Sequence, residues 1–210
     1  MLKKYIKGRT YVFIDASNII YGASHNGWRM DFEKLIKYLK TRYDANKVFY
    51  YAGLDPENKK QLGFYEKLQE FGYILRLVPL KVFSDGTRKG DVDSRMTFEI
   101  MKYFGTYNRA VILTGDGDYY WVLEYLIQNK KQVFIISFAK RTAHELKKLA
   151  KEDFAHLGNL RHQLQFRDQK KAVDSTNDST AGIMDKEYHG NTRLSSARKQ
   201  KTAPIARSVL

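Results

Sequence analysis

The chain predicts an α/β fold: a parallel sheet covered by helices on both faces. Two observations carry this reading, four short runs of β-branched and aromatic residues that are nearly continuous in apolar character, and helical patterns lying between them. Strands that alternate with helices in this way pair in parallel through right-handed crossovers, and both faces of their sheet are covered. The first run is "YVFID" at 11–15, the second "KVFYYAG" at 47–53, the third "RAVILTG" at 109–115 and the fourth "QVFIISF" at 132–138. A fifth, "YILRLVPLKV" at 73–82, alternates more, and Pro79 marks it as an edge strand or a strand end.

Among the helices, "DPENKKQLGFYEKLQEFG" offers Asp55 as an N-cap, Pro56 at the first helical position and Gly72 as the stop. Tyr119, Val122, Leu123, Leu126 and Ile127 recur at helical spacing, so an amphipathic helix follows Asp118. "TAHE" has the spacing of a capping box, Thr142 and Glu145 each reaching the other's backbone amide. The alternation runs to about residue 155, and the folded domain is placed at 1–166. From Arg167 the chain turns rich in Ser, Thr, Asn, Asp and Lys with few apolar anchors; 167–210 reads as a basic tail too polar to offset its ordering entropy, and is expected to be disordered.

Composition narrows the function classes. Lys and Arg total 37 against 23 acids, a formal net charge of +14, which favours a polyanionic partner, nucleic acid ahead of an anionic membrane surface. With no cysteine, the sequence excludes disulfides, thiolate zinc sites and cysteine nucleophiles, and fits a reducing cytoplasm. The basic N-terminus "MLKKYIKGRTYVFIDASN" has its apolar run stopped by Asp15, too early for a signal peptide, and no run approaches the ~18 apolar residues of a membrane span. A cytoplasmic protein without a membrane partner is expected.

Acidic residues collect where the strand-like runs end. Asp15 closes the first run in "FIDASN", Asp116 and Asp118 follow the third in "ILTGDGD", and Asp91 and Asp93 stand at the start of the helix in "GTRKGDVDSRMTFEI". In an open parallel sheet all of these fall outside the carboxyl ends of the strands, where ligands bind. Taken singly they have plainer roles: Asp91 and Asp118 as helix caps, Asp15 as a turn former and Glu99 as a solvated helix residue. Two carboxylates about 4 Å apart repel by about 4 kcal/mol at an effective dielectric of 20, so a meeting of several calls for a cation or a raised pKa. An all-oxygen donor set without His or Cys suits Mg²⁺ or Mn²⁺ rather than Zn²⁺. The five histidines show no ligand spacing. Asp116 and Asp118 are therefore expected to be ligands, with Gly115 and Gly117 letting the turn approach the ion.

"YVFIDASNI", "KGDVDSRMTFEI" and "VILTGDGDYYWVLEYL", in that order, resemble the NYN group of PIN-like nucleases, notably its LabA-like branch, over about residues 10–160. The resemblance implies a Rossmann-like PIN-type parallel sheet and an acidic pocket that takes Mg²⁺ or Mn²⁺. By position it implies roles for Asp15, Asn18, Asp116 and Asp118, for Asp93 with Asp91 as its rival, and for Glu99, where the family more usually has Asp. Glu99 ranks last, because six residues along a helix leave about 240° of net rotation between it and Asp93.

Arg88, Lys89 and Arg95, with Lys81, surround the second motif, while Lys140 and Arg141 head a second basic cluster with Lys147, Lys148 and Lys151. Both are candidate phosphate contacts, and Tyr21, Trp28 and Tyr120 are candidates for stacking on bases. The expectation is a metal-dependent ribonuclease whose partner is RNA and which uses no organic cofactor; a homodimer is compatible with it. The alternative is a catalytically silent RNA-binding module. The first strand is followed by neither G-x-G-x-x-G nor a P-loop, no second Asp stands two residues after Asp15, and no G-x-S-x-G occurs, so other phosphate and acyl chemistries lack support.

Overall fold

In the computed structural model, residues 7–167 are described apart from 83 and 85–87. Six strands form one all-parallel sheet in the order β3-β2-β1-β6-β7-β8. They are β1 (Thr10–Asp15), β2 (Ala45–Leu54), β3 (Ile74–Pro79), β6 (Arg109–Leu113), β7 (Gln132–Ser137) and β8 (Phe154–His156). A separate two-stranded antiparallel ladder pairs β4 (Lys81–Val82) with β5 (Arg88–Lys89). The α/β expectation is met.

Alternation along the strands builds two cores, one on each face. Val12 and Ile14 of β1 join Val48, Tyr50, Val111 and Leu113 under α1 (Ala16–His25) and α2 (Phe32–Tyr43). Tyr11 and Phe13 point the other way and join Phe49, Tyr51, Ala110 and Ile112. There they meet Met96 and Ile100 of α4 (Val92–Lys102), and Leu123 and Leu126 of α5 (Tyr120–Gln128). Burial on both faces is why the strand sequences read as unbroken apolar runs.

The chain lays down β1, β2 and β3 toward one edge, then returns through α4 to place β6 against the free side of β1 and continues outward to β8. The direction of winding reverses between β1 and β6, and the crevice at their carboxyl ends is where such sheets place ligands.

Local expectations fare unevenly. Pro79 does end an edge strand, and Gly72 does close α3 (Lys59–Phe71) with a left-handed φ of 97°. The helix begins later than Asp55 and Pro56 suggest: Asn58 is the cap, accepting from the Gln61 amide at 3.0 Å, while Asp55 accepts from the Glu57 amide in the preceding turn. No capping box forms at 142–145. The Thr142 hydroxyl donates back to the Phe138 carbonyl at 2.8 Å, and α6 (His144–Ala150) starts without a side-chain cap. Of the expected tail at 167–210, residues 168–210 lie outside the described residues. Among the described residues no helix is long and apolar enough to cross a membrane.

Candidate functional site

Asp15 closes β1 and caps α1, and both roles follow from its position. Its Oδ1 accepts from the Asn18 amide at 3.2 Å and from the Ser17 hydroxyl at 2.8 Å, while Oδ2 accepts from the Thr114 hydroxyl at 3.1 Å. The residue is buried at 3% exposure. Burial pushes its carboxyl up to about 6; the three donors oppose this and the charge of Asp93 adds to it. Thr114 ties the two strands' ends together, since its Oγ1 also accepts the Asp116 amide at 3.2 Å.

Asp116 follows β6 and caps the 3-10 turn Gly117–Tyr119, its Oδ1 accepting the Asp118 amide at 3.0 Å. Asp118 is exposed at the foot of α5. Asp93 lies on the first turn of α4 and accepts at 2.8 Å from the hydroxyl of Tyr119, a fully buried residue. Partial desolvation raises the Asp93 carboxyl above its ordinary range, Tyr119 opposes this, and the charges of Asp116, Asp118 and Asp91 raise it further. Burial, then Asp15, Asp93 and Asp116, push the Tyr119 phenol far up, so it remains a donor. Asp93 thus links the acids at the carboxyl ends of β1 and β6: its charge raises Asp15, and the charges of Asp116, Asp118 and Asp91 raise Asp93 itself.

The other acids are engaged differently. Asp91 caps α4 through the Ser94 amide at 3.3 Å. Glu99, only 1% exposed, lies between the Arg76 Nε at 2.7 Å, the Arg95 guanidinium at 2.8 Å and the Tyr51 hydroxyl at 3.1 Å. Burial alone would raise its carboxyl; the bonds from Arg76 and Arg95 outweigh this and hold it below the usual range. With Tyr51 and Arg76 on neighbouring strands, this is a clamp of α4 on the sheet. Glu99→Gln is expected to cost about 2 to 4 kcal/mol in urea unfolding at pH 7, because it leaves two guanidinium groups without their carboxylate. In the wild type this contribution is present above the ordinary carboxylate range and fades as acid protonates Glu99. A variant as stable as wild type at pH 7 would contradict the clamp.

The glycines of "TGDGD" make room for the chain that packs on them. A Cβ on Gly115 would stand 2.7 Å from both the Arg141 carbonyl and the Ser137 hydroxyl, and the Gly115 carbonyl accepts the Ala143 amide at 2.9 Å. The loop after β7 therefore lies directly on the acidic loop. Asn18 holds the same loop from the other side, its Oδ1 accepting the Gly115 amide at 2.9 Å.

Lys140 and Arg141, on this overlying loop, are exposed. Arg95 is half-exposed but turned to Glu99, and of Arg88 and Lys89 only the backbone pairing is described. Trp28 is a core residue, edge-on to Phe138 at 6.0 Å; Tyr120 donates to Glu124 at 2.6 Å, and Tyr21 is half-buried. Sequence reasoning missed Thr114 and Tyr119 as site residues. A Tyr within an apolar helical stripe gives only a core signal, and its bond to Asp93 is a tertiary fact.

The family model of the NYN domain matches residues 9–158. The chain belongs to the NYN domain family. This NYN domain is similar to the Low amplitude and bright protein LabA of Synechococcus elongatus, 28% identical over 162 residues, covering 73% of this chain and 86% of that one. Its fold is similar to that of a crystallised protein of unknown function from Vibrio parahaemolyticus, with a TM-score of 0.60 at 22% identity, covering 71% of this chain and 93% of that one. NYN domains belong to the PIN-like nucleases, which typically use divalent metals. The donor chemistry here fits Mg²⁺ or Mn²⁺, being all carboxylate, hydroxyl and amide oxygen. Among the described residues no three His, Cys, Asp or Glu side chains stand close enough to ligate one ion together. Mg²⁺ is commonly held through one or two carboxylates with waters completing its shell, so the fit rests on one or two of Asp93, Asp116 and Asp118 rather than on a closed cage.

Proposed function

We propose that this NYN domain is a metal-dependent ribonuclease that hydrolyses RNA phosphodiester bonds at the carboxyl ends of β1 and β6. The observation that carries the reading is Asp93, which is held by the buried Tyr119 hydroxyl at 2.8 Å, raised by the charges of Asp116, Asp118 and Asp91, and itself raises buried Asp15, an arrangement that capping alone does not require. A bound Mg²⁺ or Mn²⁺ would supply Lewis acidity and a more acidic water. One or two of Asp93, Asp116 and Asp118 would hold the ion directly and the rest would reach it through its waters, Asp118 being presented outward to solvent. Asp15 stands beneath them and fixes Thr114, which positions Asp116. Tyr119 orients Asp93 by donating to one of its oxygens, leaving the other for the ion. Asn18 locks the loop at Gly115, and Lys140 and Arg141 lie on the adjoining loop within the reach of a phosphate backbone.

The alternative, an RNA-binding module without turnover, draws support from the carboxyl of Asp15, which three donors already occupy. The two part company on metal dependence. A labelled single-stranded RNA mixed with the full chain is expected to be cut on addition of Mn²⁺ or Mg²⁺ and spared in EDTA. Retention of intact RNA with either metal would favour the silent module; cutting that persists undiminished in EDTA would contradict both.

A further inference from the structure

We propose that Trp121 and Tyr125 form a stacking platform that carries unpaired bases of a single-stranded RNA from the acidic pocket along α5. The proposal rests on the ribonuclease reading of that pocket and names the form of substrate it takes. Trp121 is 75% exposed, the most exposed large hydrophobic side chain among the described residues, and it lies one helical turn beyond Asp118. Tyr125, 45% exposed, follows four residues later, about 6 Å along the axis and on the same side of the helix. Asp118, Trp121 and Tyr125 thus make one outward stripe that begins at the candidate metal ligands.

The stripe is braced and graded in charge. Tyr120 meets Trp121 edge-on at 5.3 Å and is itself held by Glu124 at 2.6 Å, which limits the freedom of the indole. At the far end the Tyr125 ring meets Phe104 at 5.8 Å, and the Lys131 ammonium lies 4.5 Å over that Phe104 ring, beside exposed Lys130. Asp118 stands at one end, the two rings lie in the middle beside Glu124, and Lys130 stands at the far end with Lys131, whose ammonium donates to the Tyr107 carbonyl. Strands bound without sequence readout use this combination, aromatic faces for the bases and cations for the phosphates. A protein partner fits less well. A stable protein interface buries about 800 Å² on each side, whereas this stripe is two rings wide and bordered by charge, on a chain of net charge +14.

Binding of a fluorescein-labelled ten-nucleotide oligo(U) tests the platform in the full-length Asp116→Asn background with Mg²⁺, so that the RNA stays intact. Adding W121A is expected to weaken binding roughly tenfold, with W121F recovering most of it and W121L little; Y125A is expected to weaken it about fivefold. The slope of log affinity against log salt should not change, because no phosphate contact is lost. Tryptophan emission should be quenched by oligo(U) in the parent and not in W121F, and a ten-base-pair RNA duplex should not distinguish the variants. Equal oligo(U) affinity for W121A and its parent overturns the platform while leaving metal-dependent cleavage as the separate measure of the ribonuclease reading. Unchanged affinity with a dimer lost in W121A, or equal rescue by W121L and W121F, overturns it in favour of a contact between copies of this chain.

Discussion

Asp15→Asn is expected to make the metal-free protein more stable at neutral pH and at the same time to lower its proposed activity, because one negative charge leaves the acid cluster. The Asp15 carboxyl is raised to about 6 from an ordinary 3.8, so the folded state binds its proton more tightly than the unfolded chain does. Stability from this group is therefore complete below pH 4 and falls as pH rises from about 4 to about 6, reaching a loss of about 2 to 3 kcal/mol at pH 7. An Asn carries no charge to desolvate. Its Oδ1 keeps the bonds from Ser17 and the Asn18 amide, and its amide donates to Thr114, whose hydroxyl rotates to accept. Urea unfolding in EDTA should show the variant ahead by about 2 to 3 kcal/mol at pH 7, with the gap closing toward pH 4. A variant less stable than wild type at pH 7 would contradict the assignment of Asp15 as a buried, charge-bearing site residue. The trade of stability for function is the expected signature of a working acid held in place by its surroundings.

Asp116→Asn acts on a different link. Asp116 is half-buried, and its structural duty, accepting the Asp118 amide, passes to the Asn oxygen, so folding is expected to survive. One negative charge leaves the cluster and one candidate ligand becomes a weak one. Cleavage is expected to fall by a factor on the order of 10² to 10³, the scale for loss of one group that stabilises charge in a transition state. The Asp93 carboxyl should return part of the way toward its ordinary range, since Asp116 is the largest charge raising it. RNA binding should hold or strengthen, because a phosphate is repelled less.

Much of the site was legible because it follows from topology. Asp15, Asp116 and Asp118 are strand-end residues, and once β1 and β6 are adjacent their meeting is forced; the apolar runs gave those strands within a few residues. Asp93 against Asp91 was not legible, since both open the same helix; Tyr119 is what turns one inward and leaves the other capping. Glu99 entered the acid set through the resemblance alone, against its spacing of six residues from Asp93, and it is bonded to Arg76 and Arg95. The glycines of "TGDGD" read as room for an ion because the loop that packs on them, Phe138 to Ala143, comes from a distant segment. Thr142 and Glu145 had capping spacing, yet the tertiary bond of Thr142 to Phe138 took precedence. The exposed indole of Trp121 was hidden among "YYWVLEYL", where four neighbouring residues, Tyr119, Val122, Leu123 and Leu126, do form core. Hydrophobic patterning shows that a helix has a buried face, and only the packing shows which aromatic is left outside.

The most direct test of the account is the time course of a labelled single-stranded RNA with wild-type protein and with Asp116→Asn, each in Mn²⁺, Mg²⁺ and EDTA, with RNA retention measured on the same samples. The wild type is expected to cleave in a metal-dependent manner, and Asp116→Asn to lose cleavage while still retaining RNA. Cleavage by Asp116→Asn at the wild-type rate would contradict it.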